Sequence, residues 1–195
     1  MAKKRAIIGF RGVALAEVTS DTITSYATQA AVGIPYAGSM SRTPKESSQD
    51  FYYDDDLYAQ VHDVQGDDVE VRFAEMPLSQ CAALGLGVYD ETTGTLEADF
   101  NVTGKEYAFR CIAETVSGLP MYFNWRVFDL TGIRFDNFAS KGANLSVCEV
   151  IMSGLFKRPA LASAKPYVIR QPKEDGSDLA ACDAWIKAAE TLPKA

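Results

Sequence analysis

Apolar and polar residues alternate along much of this chain with a period of two, the repeat of a strand that buries one face in a sheet. Ala6, Ile8 and Phe10, then Val13 and Leu15, make the first run, and Gly9 and Gly12 inside it suit a bend or bulge. Thr19 to Thr28, rich in Thr and Ser, predicts a second short strand or an extended arm. Leu57, Ala59 and Val61 alternate with Tyr58, Gln60 and His62, and Val69, Val71 and Phe73 alternate with Glu70 and Arg72; Gly66-Asp67 between them predicts a hairpin turn. Tyr107, Phe109, Cys111, Ala113 and Thr115 form a strand with one buried face, which Gly118-Leu119-Pro120 turns into Met121, Phe123, Trp125 and Val127. In that second strand the alternate positions Tyr122, Asn124, Arg126 and Phe128 are also bulky, which requires a layer on each side. Asn144 to Phe156 supplies a further strand.

Two segments follow a helical period instead. After Pro77, residues Leu78, Cys81, Ala82 and Leu84 lead to a stop at Gly85. Near the end of the chain, behind a cap at Ser177 or Asp178, Leu179, Cys182, Trp185, Ile186 and Ala189 share a face opposite Asp183, Lys187 and Glu190. That amphipathic helix of about three turns needs an apolar surface, its own sheet or a neighbouring subunit. The polar run Gly38 to Gln49, with Pro44, reads as a long loop, Val88 to Thr95 as a loop or wide hairpin, and Ala160 to Asp178 as an extended, poorly packed connection. The pattern predicts a mainly β (α+β) fold, an antiparallel β-sandwich or open barrel flanked by a short helix, with a C-terminal amphipathic helix. We expect one domain over 1–195, its core at about 5–157 and a C-terminal extension at 158–195.

The 195 residues, 47% hydrophobic and 23% charged, suffice for one well-packed soluble domain. A net charge of -7 argues against a partner held by phosphate contacts, which need clustered Lys and Arg. The acids concentrate in one stretch, where Asp50, Asp54, Asp55, Asp56, Asp63, Asp67, Asp68, Glu70 and Glu75 face a single Arg72. No apolar run approaches the roughly 20 residues of a membrane span, and Met1 to Arg5 is basic without an apolar signal core, so a cytosolic product is expected. Cys81, Cys111, Cys148 and Cys182 show no C-x-x-C spacing and read as buried thiols, although separation in sequence leaves a bridge between two of them open.

Catalytic chemistry has little to work with. His62 is the sole histidine, and its place beside Asp63 on a strand is that of a surface residue rather than the base of a triad. Asp54-Asp55-Asp56 lacks the spacing of a calcium loop, since adjacent residues on an extended chain point to opposite faces. Neither glycine-rich phosphate motif is present. We therefore expect no enzyme, no metal and no cofactor.

The order of these features resembles the major tail tube proteins of long, flexible-tailed (siphovirus-type) phages. The likeness runs from about Gly33 to Phe156: GIPYAGSM, a Ser-rich run, YYDDDLYAQVHDVQGDDVEVRFAEMPLSQCAALGLG, Tyr107 to Phe109, Asn124-Trp125-Arg126-Val127-Phe128, and Val147 to Phe156 with Gly154. The extension from Ala160 to Ala195, which many of these proteins lack, departs from it. The resemblance implies a structural virion protein, assembled in the host cytoplasm into stacked hexameric rings that form the tail tube. Its partners are then itself, the tape measure and other tail proteins, with DNA crossing the lumen during ejection without specific binding. On that reading Arg42, Thr43, Pro44, Lys45, Glu46, Ser47, Ser48 and Gln49 are candidates for a loop between rings, and Asp54, Asp55, Asp56, Asp63, Asp67, Asp68 and Glu70 for a lumen lining. Leu179, Cys182, Trp185 and Ile186 are the docking face of the C-terminal helix. The alternative is an immunoglobulin-like binding or adhesion module, which also wants alternating strands but lacks here the Cys and Trp spacing of true immunoglobulin domains.

Overall fold

The alternating runs become strands of one large antiparallel sheet. The computed structural model describes residues 6–53, 56–98, 104–136 and 149–193, with side chains left out at 10, 11, 47, 49–53 and 56–64. Its elements in chain order are β1 (Ile7–Asp21), β2 (Ser25–Thr28), β3 (Val32–Ile34), β4 (Ala37–Tyr53), β5 (Asp56–Phe73), α1 (Leu78–Ala83), β6 (Gly87–Asp90) and β7 (Thr95–Ala98). There follow β8 (Glu106–Thr115), β9 (Met121–Asp136), β10 (Glu149–Lys157), β11 (Tyr167–Arg170), α2 (Leu179–Lys187) and β12 (Thr191–Pro193). Ten strands form one sheet in the order β12-β2-β1-β8-β9-β10-β5-β4, with β3 added to β1 and β11 to β9, while β6 and β7 pair as a separate hairpin. The mainly antiparallel β architecture with two short helices is the class the periodicity predicts.

The sheet curls without closing. Side chains from β1, β5, β8, β9 and β10 share one core, and Met40 of β4 packs against it although four strands separate β4 from β1 in the sheet order. Aromatic rings fill its centre: Trp125 lies parallel to Phe156 at 4.8 Å and to Phe123 at 5.6 Å, and Phe109 meets Trp125 edge-on at 5.9 Å. Gly154 makes this possible, because a Cβ there would stand 2.4 Å from the Phe128 ring. At one end α1 plugs the curl with Cys81 and Leu84, its start set by Pro77 at the capping position and its end by Gly85 at φ 94°.

The second layer that β9 requires comes from the C-terminal segment. Cys182 and Ile186 of α2 are buried against Tyr122, with Ile112, Leu179 and Trp185 partly buried around them, so the helix docks on its own sheet. Asp178 stands at the cap of α2, yet its Oδ1 accepts from the Lys173 amide at 2.7 Å instead of from the helix.

Three expectations are corrected. Gly66-Asp67 is no hairpin turn: β5 runs unbroken from Asp56 to Phe73 and pairs along its length with β4, the chain reversing between Tyr53 and Asp56, which face each other. Gly-Asp is the reverse of the Asp-Gly order such turns favour, and a strand partner long enough for the whole run was available in the polar stretch before it. That stretch is accordingly a strand and not a loop, and Pro44 is tolerated in it because β4 is an edge. Finally, Ala160 to Asp178 is more than a loose connection, for β11 pairs with β9 at Tyr167↔Trp125 and Leu161 is buried with Tyr26 and Val127. Cys81, Cys111 and Cys182 are free and buried as expected, and Cys148 lies outside the described residues. Among the described residues no helix is long and apolar enough to cross a membrane.

Candidate assembly surface

The feature that sets this chain apart from a self-contained sheet is the outer half of β4 and β5. Strand β10 pairs with β5 only from Val150↔Phe73 to Phe156↔Asp67. Beyond that point, from Lys45↔Gly66 to Tyr53↔Asp56, β4 and β5 pair with each other alone among the described residues. They form a two-stranded arm rooted at a bulge, where the partner shifts from Gly66 to Val64 as the chain passes from Lys45 to Glu46. Gly66 is required there: φ is 139°, and a Cβ would lie 2.0 Å from the Phe156 carbonyl oxygen.

The loop candidates divide at this root. Arg42, Thr43 and Pro44 pair with Val69, Asp68 and Asp67 on the body, Lys45 sits at the bulge, and Glu46, Ser47, Ser48 and Gln49 lie on the arm opposite Val64, Asp63, His62 and Val61. The acids divide as well. Asp54 and Asp55 lie outside the described residues, and Asp56 and Asp63 stand on the arm backbone. Asp67 pairs with Arg42, whose guanidinium sits 5.5 Å from the centre of the Trp125 ring and 6.0 Å from that of Phe156. Glu70 meets Arg134 at 2.8 Å, and neighbouring Arg72 bonds Glu149 at 2.9 Å, a contact that raises the Arg72 pKa. Asp68 is exposed. The described acids are thus a partly neutralised set on different faces, not one bare row.

At the root of the arm the curled sheet stays open. Its mouth is a cavity of about 370 Å³ between β1, β4, β8 and β9, lined by Ile7, Gly9, Met40, Arg42, Cys111, Ala113, Phe123 and Trp125. A second hollow of about 140 Å³ adjoins it across Trp125 and is bounded by Gly66, Asp67, Phe156, Lys157, Arg158, Pro166 and Tyr167. The indole Nε1 of Trp125 is buried and has no hydrogen-bond acceptor among the described residues. Apolar side chains remain uncovered around the opening: Ile7 is 53% exposed, Tyr167 53% and Ile169 46%. The Cys111 thiol in the wall is pushed up to about 12 by burial, which leaves it uncharged and unreactive at neutral pH.

The outer face of β8 and β9 is finished differently. Arg110, 2% exposed, donates to the carbonyls of Ile186 at 2.9 Å and Ala188 at 2.6 Å, at the electronegative end of α2, and to Thr28 Oγ1 at 3.3 Å. Burial lowers its pKa and the nearby Glu190 opposes that. Arg126 grips Glu190 through Nε at 3.1 Å and a terminal nitrogen at 2.7 Å, and Asn124 donates to the other carboxylate oxygen at 3.0 Å. Tyr26 donates to the Arg126 carbonyl at 2.5 Å, and Tyr122 to Asp183 at 2.6 Å. This network ties the docking face Leu179, Cys182, Trp185 and Ile186 to the sheet. Sequence reasoning missed it, though Arg110, Asn124 and Arg126 fall at outward positions beside the inward Phe109, Cys111 and Trp125.

Among the described residues no group of three His, Cys, Asp or Glu side chains comes together in a way that could hold a metal. The arrangement is one for making contacts: an arm with free edges and an apolar mouth beside its root. No family model matches the sequence, and none of the curated proteins does. Among solved structures, a chain of the anti-feeding prophage (AFP) baseplate, from a 6-fold symmetrised cryo-EM structure, aligns over 99% of this chain and 98% of its own at 7% identity and a TM-score of 0.39. A score that low describes a loose likeness of overall path, from which neither fold nor function follows.

Proposed function

We propose that this chain is a structural subunit of a phage-type tail, which joins copies of itself through the β4–β5 arm into six-membered rings stacked as a tube. The observation that carries the reading is the arm. A lone two-stranded hairpin is at best marginally stable in water, and its unpaired edges invite pairing with another chain. A subunit that polymerises has a use for such edges; a protein that stays monomeric would be expected to blunt them. Beside the arm stands the ordered resemblance from Gly33 to Phe156 to tail tube proteins. On this reading the protein belongs to the virion tail, its further partners are the tape measure and other tail proteins, and DNA crosses the lumen without being gripped. Lumen-facing acids would come from Asp68 and from those of Asp54, Asp55, Asp56 and Asp63 that a neighbouring copy leaves uncovered, more than from Asp67 and Glu70, whose charges are already paired.

The test is negative-stain microscopy and sedimentation of the purified chain beside a variant in which Glu46 to Val64 is replaced by Asn-Gly. The expected result is rings or tubes from the first and a folded monomer from the second. A chain that stays monomeric at every concentration, or tubes of normal length without the arm, would sink the proposal.

A further inference from the structure

The mouth beside Trp125 has the marks of a surface that something covers. Its walls include core residues left uncovered, it is rimmed by exposed Ile7, Tyr167 and Ile169, and Trp125 in its wall has a buried indole N–H with no acceptor among the described residues. A buried donor left without a partner costs free energy comparable to a lost hydrogen bond, and a partner able to accept it removes that cost. We propose that the mouth receives the β4–β5 arm of a second copy lying beside the first, so that each subunit gives its arm to one neighbour and receives one from the other. This rests on the reading of the chain as a self-assembling tail subunit and names the surface on which the arm lands.

Three observations select that occupant. In sequence, residues 45–64 hold Glu46, Asp50, Asp54, Asp55, Asp56 and Asp63 against Lys45, while exposed Arg158 stands in the hollow next to Trp125. Opposite charge at arm and rim steers the one to the other and disfavours arm against arm. The tip is also aromatic and apolar in sequence, with Phe51, Tyr52, Tyr53, Leu57 and Tyr58 around the acids, a composition suited to an apolar mouth. Lastly, the arm springs from Gly66, which itself bounds the hollow, so arm and mouth share one end of the subunit. An arm of some ten residue pairs reaches about 30 Å. Donor and acceptor at the same end are suited to a neighbour at the same level, a head-to-tail contact that closes into a ring when the rotation allows.

To test it, benzoylphenylalanine is placed at Tyr58 in the otherwise unaltered chain, light and heavy isotope-labelled copies are mixed and assembled, and the photo-adducts are mapped by mass spectrometry. Adducts joining the arm of one copy to peptides of another that contain Ile7, Met40 or Tyr167 are expected. In parallel, Ile7→Glu, at an exposed position where folding of the body should be unaffected, should lower ring yield by about tenfold or more, with a smaller loss at high salt than Arg158→Glu shows at low salt. Val88→Glu, equally exposed but on the separate β6–β7 hairpin, should leave the yield unchanged. Rings that form with adducts confined to α1 or the β6–β7 hairpin, or with full yield from Ile7→Glu, overturn the landing surface and leave the tail-subunit reading standing. A wild-type chain that gives neither rings nor adducts between copies overturns both.

Discussion

The two faces of β9 are built from the same strand and finished in opposite ways. Inward, Phe123 stacks on Trp125 and Trp125 on Phe156, with Arg42 held over the Trp125 and Phe156 rings, and the layer ends in an open mouth. Outward, Tyr122, Asn124 and Arg126 are covered by residues 158–193 and bonded to Asp183 and Glu190. The polar face is covered within the chain, where Arg110, Asn124 and Arg126 each donate to the C-terminal segment although the Arg110 Nε finds no acceptor among the described residues, whereas no described residue fills the apolar mouth. On the proposed reading, an interface between copies would fall where the chain leaves its surface unfinished, on the inner, aromatic side.

Variants that break the outer seal sharpen this contrast. Arg126→Ala leaves the half-buried Glu190 with one neutral donor from Asn124, and unfolding is expected to shift by up to about 3 kcal/mol, the lower end of the range for removing one partner of a buried ion pair. A double-mutant cycle with Glu190→Ala, followed by chemical denaturation, should recover much of that loss as coupling. Trp185 is only partly buried, and Arg170 caps its ring at 5.8 Å. Trp185→Ala should therefore cost less, about 2 kcal/mol, and should appear in the monomer's unfolding midpoint, because α2 docks on its own sheet. If monomer stability is unchanged while assembly fails, the helix serves a neighbour and the two faces are not distinct in kind.

The smallest effect concerns acidity. Burial raises the Glu106 pKa against the pull of Lys157. The folded state then holds the proton more tightly than the unfolded chain, so ionisation of Glu106 opposes folding. That cost is complete above the folded-state pKa and vanishes as pH falls below the unfolded value, about 4.3. Glu106→Gln should raise the midpoint slightly at neutral pH, and the gain should disappear below about pH 4. A gain that persists in acid would mean the effect comes from packing.

The inner face was the more legible in the sequence. Tyr107 to Thr115 and Met121 to Phe128 declare themselves because alternation with large apolar residues is the direct signature of a buried strand face, and α1 and α2 carry their own stops and stripes. The arm was hidden for a physical reason: among the described residues, 45–53 pair only with their own hairpin partner, so no core imposes an apolar period on them, and Pro44 with its run of Ser read as a loop. The network around Glu190 was hidden by distance, since Thr28 and Glu190 meet across 162 positions and no local pattern records such a meeting. Gly66 gave a signal of the wrong kind, a turn residue that in fact allows a bulge against the Phe156 carbonyl.

The strand order has a kinetic consequence. The arm is a local pairing of consecutive strands that starts where Tyr53 faces Asp56, and a hairpin of that type closes in roughly 1–10 μs. The body depends on remote pairings, β1 with β8 and β12 with β2, and sheets of such high contact order take milliseconds to seconds. If the arm docks on a second copy as proposed, an early arm would have no landing surface until β8 and β9 had come together, and polymerisation would follow folding of the body.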